Sequence, residues 1–416
     1  MMRRIALIAS VLLLLLSPSA VAAEAGIAVI ASGVEIDFPS QAVFTLEAES
    51  HVDIVDIRLC YQVDKMNYAD VVSEGWADFT RANKTEASWV WDMRIAGLPP
   101  GAEVTYWWMI EDAGGSKLET SSEIMRFDDE RYLWRSLTSS TPGGSGLTLF
   151  WYQGGDAFAQ ELLDACGEGL DTLTRDIGTY PERPIKIYVY ASSSDLLGAM
   201  IFPYEWTGGV AFTEFSTIAI GIGPSSLDWG KRALVHELTH LVVHQTTFSP
   251  YGQLPTWLDE GLAMYSEGEL EPHFRSRLQE AIREDNLISV RSLCSAFSAQ
   301  TEEAYLSYAQ SFSLVEYLLD NYGQDKMLDL LTLFKEGATY DEALSEVYDF
   351  DIDGLDARWR ATLANQGVSA QEVGPHPALI VVLAALATVL VLWGALALKK
   401  RVRQGVPGRR TEEGKL

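Results

Sequence analysis

His236-Glu237-Leu238-Thr239-His240 reads H-E-x-x-H and lies in an apolar run, with Ala233-Leu234-Val235 before it and Leu241-Val242-Val243 after it. That run predicts a helix from about Gly230 to Thr247. On a helix, residues four apart share one face one turn apart, so both imidazoles can reach one metal ion. Glu237 points to the side of the pair, where it can take a proton from a metal-bound water. A random chain of this length contains the pattern on the order of once in a hundred cases. The competing reading is a buried amphipathic helix with two hydrogen-bonded histidines.

Two histidines leave zinc under-coordinated, because a catalytic site wants three protein ligands and an open position. His244 lies two turns from His236, ~12 Å along the axis. That distance suits a helix-surface residue or one that supports a ligand. The third ligand is expected downstream, at Glu260 in Pro255-Thr256-Trp257-Leu258-Asp259-Glu260-Gly261-Leu262-Ala263. Thr256 can cap a new helix, and Gly261 allows close approach to the motif helix. Trp257 and Leu258 supply apolar packing. His236, His240 and Glu260 would then form the His₂Glu set of hydrolytic zinc, with Zn²⁺ as cofactor. A solvated helix glutamate is the alternative for Glu260.

With these residues the chain resembles the gluzincin metallopeptidases, and more narrowly the peptidase MA-like domains, over roughly residues 131–365. Trp-Leu-Asp-Glu-Gly-Leu-Ala is similar to the third-ligand segment of the aminopeptidase branch. The nineteen residues between His240 and Glu260, and His-Glu-Leu-Thr-His itself, are similar to the thermolysin branch. Carried over, the resemblance implies ligands at His236, His240 and Glu260 and a general base at Glu237. It implies an oxyanion donor on a later helix, for which Tyr308 is the candidate and Tyr265 a weaker one. A packing role for Tyr308, among Tyr305, Phe312 and Tyr317, is the alternative. Three departures stand out. Metzincins carry a histidine where this chain has Thr246. Thermolysin-like enzymes carry an aspartate where it has Met264, and Asp259 is expected to point elsewhere. The amine-gripping Gly-Ala-Met-Glu-Asn strand of aminopeptidases corresponds to Gly208-Gly209-Val210-Ala211-Phe212, which has no glutamate. That segment can still serve as an edge strand that pairs with an extended peptide.

Upstream, residues 24–130 read as β. Val34–Phe38, Ala42–Leu46, Ile54–Leu59 and Val104–Ile110 mostly alternate, and Leu98-Pro99-Pro100-Gly101 and Gly114-Gly115 punctuate them. Short strands at this spacing predict an antiparallel sandwich. The Leu-Pro-Pro-Gly-Ala turn before an aromatic strand resembles a fibronectin type III or immunoglobulin-like module, with a binding or spacer role. Thr138–Ser145 reads as a linker. Strands are expected at 147–152, 184–191 and 216–222, and a helix at 156–177. In the third of those strands Thr217, Ala219 and Gly221 alternate against isoleucines. Helices follow to about Asn365, so the fold class is α+β, a small β-sheet leading into a mostly helical lobe. Asp349-Phe350-Asp351-Ile352-Asp353-Gly354 imitates an EF-hand. Its twelfth position is Arg360 rather than glutamate, so a turn into a helix is the better account.

The ends bear on location. Arg3-Arg4, the apolar stretch Ile5–Leu16 and Ala20-Val21-Ala22-Ala23 predict a signal peptide at 1–23. After a linker at 366–377, residues 378–398 carry no charge and could span ~31 Å as a transmembrane helix. Lys399, Lys400, Arg401 and Arg403 in the tail 399–416 would place the C-terminus in the cytoplasm. The net charge is −27, and nine of the 31 basic residues sit in the two ends, so the middle is more acidic still. That argues against nucleic acid as a partner. Cys60, Cys166 and Cys294 match no zinc or redox spacing; three buried thiols are expected, with a Cys166–Cys294 bridge as the alternative.

These readings converge on a membrane-anchored extracytoplasmic zinc peptidase acting on peptide or protein substrates. The alternatives are a catalytically silent ectodomain used for binding or adhesion, and a zinc hydrolase acting on a non-peptide bond.

Overall fold

The computed structural model describes residues 26–201 and 208–366; the stretches 1–23 and 378–398 lie outside them. Among the described residues no helix is long and apolar enough to cross a membrane. The chain forms two compact units. Among the described residues, one takes in those up to Glu168 and those within Tyr180–Phe248; the other takes in Gly169–Thr179 and those from Ser249 to Gln366.

The first unit opens with two antiparallel sheets. One contains β1 (Ala28–Asp37), β2 (Gln41–Glu49), β5 (Asp78–Phe79) and β6 (Lys84–Asp92) in the order β1-β2-β6-β5. The other contains β3 (Ile54–Val63), β4 (Ser73–Trp76), β7 (Ala102–Asp112), β8 (Lys117–Glu119) and β9 (Glu123–Phe127), ordered β4-β3-β7-β8 with β9 also on β7. Strict alternation builds them. In β7, Ala102, Val104, Tyr106, Trp108 and Ile110 are buried and the residues between them are not. Their side chains share one core with Phe44 and Leu46 of β2 and with Ile57 and Leu59 of β3. The Phe44 and Tyr106 rings meet edge-on at 4.9 Å across it. The β7–β8 turn is closed by Asp112, whose carboxylate accepts from the amides of Gly114 and Ser116, both at 2.9 Å.

A mixed sheet follows, formed by β10 (Arg135–Ser139), β11 (Leu147–Trp151), β12 (Ile185–Tyr190), β13 (Gly209–Phe212) and β14 (Thr217–Gly221) in the order β10-β11-β12-β14-β13. The central three run parallel, and both edge strands are antiparallel. Here the linker expectation is corrected. Thr138 and Ser139 belong to β10 and pair with Thr148 and Leu147. Only the turn beyond them is glycine-shaped. The expected strand at 216–222 is β14, and all five of its residues are buried although small side chains alternate with isoleucines along it. Helices α2 (Ser193–Leu197) and α3 (Leu227–Thr246) both pack on it, so neither face meets water. The helix α1 (Asp156–Thr172) ends in one wider turn through Ile177.

A seam of polar contacts joins the first two sheets to this one. Lys186 donates to the Gly101 carbonyl at 3.0 Å and to Glu103 at 2.8 Å. Arg183 bonds Asp64, Lys65 bonds Glu214, and the Met66 amide donates to the Glu214 carbonyl. Asp129, fully buried, accepts from Arg131 through both carboxylate oxygens and from the Tyr190 hydroxyl.

The second unit is helical: α4 (Thr256–Ser266), α5 (Pro272–Arg283), α6 (Thr301–Lys335, interrupted at Gly323), α7 (Tyr340–Tyr348) and α8 (Ile352–Gln366). Thr339 and Glu342 cap α7 reciprocally. The EF-hand look-alike is a capped turn. Asp351 accepts from the Gly354 amide at 2.8 Å, Asp353 pairs with Arg291, and Arg360 bonds Asp356 and the carbonyls of Leu287 and Ile288.

Candidate metal centre

Helix α3 carries the histidine pair on a strongly anchored frame. Leu234, Val235, Leu238, Leu241, Val242 and Val243 are buried along one side. Gly230 leaves no side chain to meet Ile222, so the first turns approach the end of β14 closely. Asp228 in the first turn complements the helix dipole. At the far end, the buried Gln245 accepts from the amides of Glu182 and Arg183 at 2.8 and 3.1 Å and donates to Ser216 at 3.0 Å. This residue is invisible to motif reading. Its only sequence signal is a lone amide side chain closing an apolar helix face.

The rings of His236 and His240 are 4.9 Å apart at 78°, and that of His244 lies 6.4 Å from His240. One ligand atom each from His236, His240 and Glu260 fall within 4.8 Å of one another. A second triple, His240, His244 and Asp259, meets the same limit. Asp259, expected to point elsewhere, is therefore close to two histidines. Around a tetrahedral zinc with bonds of about 2.0 Å, neighbouring donors are about 3.3 Å apart. Each triple offers two imidazole nitrogens and one carboxylate, the donor types of hydrolytic zinc.

Glu237 is half-buried beside β13: a methyl group built on Gly209 would sit 3.1 Å from both its Cγ and its Oε1. Gly208 is covered in the same way by the indole of Trp229. Glu260 follows Trp257 and Leu258, both fully buried, in α4. Two local expectations for α4 change. Pro255, not Thr256, occupies the N-cap, and the Thr256 hydroxyl donates to the Cys294 carbonyl at 3.3 Å instead. The backbone that Gly261 approaches is that of α6, at Ser311. Tyr308 is half-buried in α6, edge-on to Phe297 at 5.2 Å and 6.3 Å from Phe274. Tyr265 lies 6.2 Å from Phe312, and burial pushes its hydroxyl above the usual tyrosine range. The three cysteines are free thiols, Cys60 and Cys166 buried and Cys294 half-buried.

Residues 165–365 match the family model of the Peptidase MA superfamily. No curated protein matches the chain. Among solved structures, an M1 zinc metallopeptidase from Deinococcus radiodurans is 14% identical, over 85% of this chain and 95% of that one, with a TM-score of 0.34. Legionella pneumophila aminopeptidase A in complex with aspartic acid is 10% identical, over 80% of this chain and 50% of that one, at 0.35. OgpA from Akkermansia muciniphila, in complex with an O-glycopeptide substrate, is 14% identical over 24% of this chain and 28% of its own length, at 0.19.

Proposed function

We propose that this chain is a zinc-dependent peptidase, with His236, His240 and Glu260 as the residues that would hold the ion. The observation that carries the reading is the convergence of their three ligand atoms within 4.8 Å, with Glu237 the residue that follows the first of them. Zinc held there would supply a Lewis acid for the water nucleophile and the scissile carbonyl. Glu237 takes the proton from the attacking water and later delivers it to the leaving amine. Tyr308 is proposed as the donor to the developing oxyanion.

Edge strand β13 would hold the substrate. The Gly221 amide donates to the Gly208 carbonyl, so Gly208, Val210 and Phe212 make the hydrogen bonds to β14. The N–H and C=O of Gly209 and Ala211 therefore point off the sheet edge, where an extended peptide can pair with them. We further propose that residues 1–23 direct export and that residues 378–398 anchor the protein, its N-terminal bulk outside the cytoplasm. The two N-terminal sheets, proposed as a fibronectin type III or immunoglobulin-like module, would then be part of the ectodomain.

The test is metal content together with cleavage of a mixed peptide library by the full-length chain, with Glu237→Gln as control. One zinc in both proteins and cleavage only by the unmodified chain is expected. Zinc in both without turnover in either would sink the enzyme reading in favour of a silent binding scaffold.

A further inference from the structure

We propose that Gly209 is a positioning residue for Glu237, its missing side chain setting where the glutamate carboxylate stands. The inference rests on the peptidase reading and extends the machinery to a strand outside the H-E-x-x-H motif.

A glycine in a strand costs conformational entropy and gives up packing, so it needs a reason. Backbone conformation is not the reason here, because Gly209 is not among the glycines with positive φ. Alanine could adopt the same backbone. Space is the reason. The side-chain direction at Gly209 is toward α3, and a Cβ there would lie 3.1 Å from the Cγ and Oε1 of Glu237 and 3.2 Å from the Cδ1 of Ile220. The methyl group would be wedged between the two. Ile220, directly opposite in the β13–β14 register, is fully buried, so its Cδ1 has little room to move. β13 is held to β14 along a four-residue register. Glu237, half-buried and with rotatable bonds, has the most room to yield. A base displaced by a few tenths of an ångström loses its line to the water, and a 1 Å error can cost about a hundredfold in rate.

The experiment uses the full-length chain loaded with zinc and the best-cleaved peptide of the library. Gly209→Ala is expected to keep its zinc and its unfolding temperature, to lose about tenfold in kcat and to hold KM within about twofold. Gly209→Val should lose more. The decisive arm is Glu237→Asp, whose shorter side chain leaves the added methyl open space. In that background Gly209→Ala should cost less than about twofold. An equal loss in both backgrounds, or a change confined to KM, overturns the proposal. Crystal structures of the unmodified chain and Gly209→Ala read the Glu237 side chain whether or not anything turns over. A shifted carboxylate or a new rotamer is expected, and an unmoved one overturns the inference. If the unmodified chain cleaves nothing, the peptidase reading fails while the crystal comparison still decides this one.

Discussion

Gly261→Ala probes how α4 is held. A methyl group at this position would stand 2.5 Å from the Ser311 carbonyl oxygen and 2.7 Å from the Cγ2 of Val315, both on α6. Ordinary contacts begin near 3.4 Å, so the two helices must part by about 0.9 Å. The carbonyl oxygen is backbone and cannot rotate away. Overpacking of this kind costs ~1–3 kcal/mol, and the better helix propensity of alanine returns ~1 kcal/mol. The net expectation is a loss of up to ~2 kcal/mol, or at most about 8 °C in unfolding temperature for a unit of this size. Because Glu260 is the preceding residue, its carboxylate moves with the helix. On the proposed ligand set, zinc affinity should fall about tenfold or more, as when the support of a ligand is disturbed. Calorimetry and zinc competition against a chromogenic chelator read the two effects separately. A Gly261→Ala variant that is more stable by about the propensity gain alone, with zinc binding unchanged, would refute the argument.

Three further outcomes follow from other sites. Gln245→Ala strips partners from two amides and a hydroxyl at the end of α3, and urea unfolding should show a loss of ~2–4 kcal/mol. The Ser50 hydroxyl, then the Ser116 and Gly114 amides, hold the Asp112 carboxyl below the usual carboxylate range. Its stabilising effect is thus complete above pH ~4 and disappears as pH falls through the lower folded value, so Asp112→Asn should flatten the acid limb of a stability–pH curve. Burial pushes the Cys166 thiol up to about 12 and Cys294 up to about 11, and raises Cys60. Disulfide reagents at pH 8 should therefore find almost no fast thiol in the folded chain and three in denaturant.

Much of this was legible where period and chemistry are local. The apolar run around His236 located α3, and alternation located β2, β3 and β7. What local pattern does not carry is the identity of the neighbour. β10 was hidden in a Ser/Thr/Gly stretch because its strand character comes from pairing with β11. The alternation of small and large residues along Thr217–Gly221 does not report that all five are buried, with α2 and α3 packed on the strand. Gly261 was recognisable as a point of close approach, but its partner is α6 rather than α3. Asp259 was placed by helix phase alone, which does not report which side chains a neighbouring helix presents. Gln245 has no motif, since its partners are backbone amides more than sixty residues away.

The polar seam at Lys186 bears on how such a chain can be rearranged. The Gly101 carbonyl that Lys186 grips belongs to a turn whose glycine has φ 72° and leaves its space to the Tyr188 hydroxyl. Any replacement for the two N-terminal sheets would have to present a glycine with its carbonyl free for Lys186, and an acid two residues on. Recombination would rarely supply both, so the N-terminal sheets and the mixed sheet should be inherited together, as one exon-like block rather than as exchangeable cassettes.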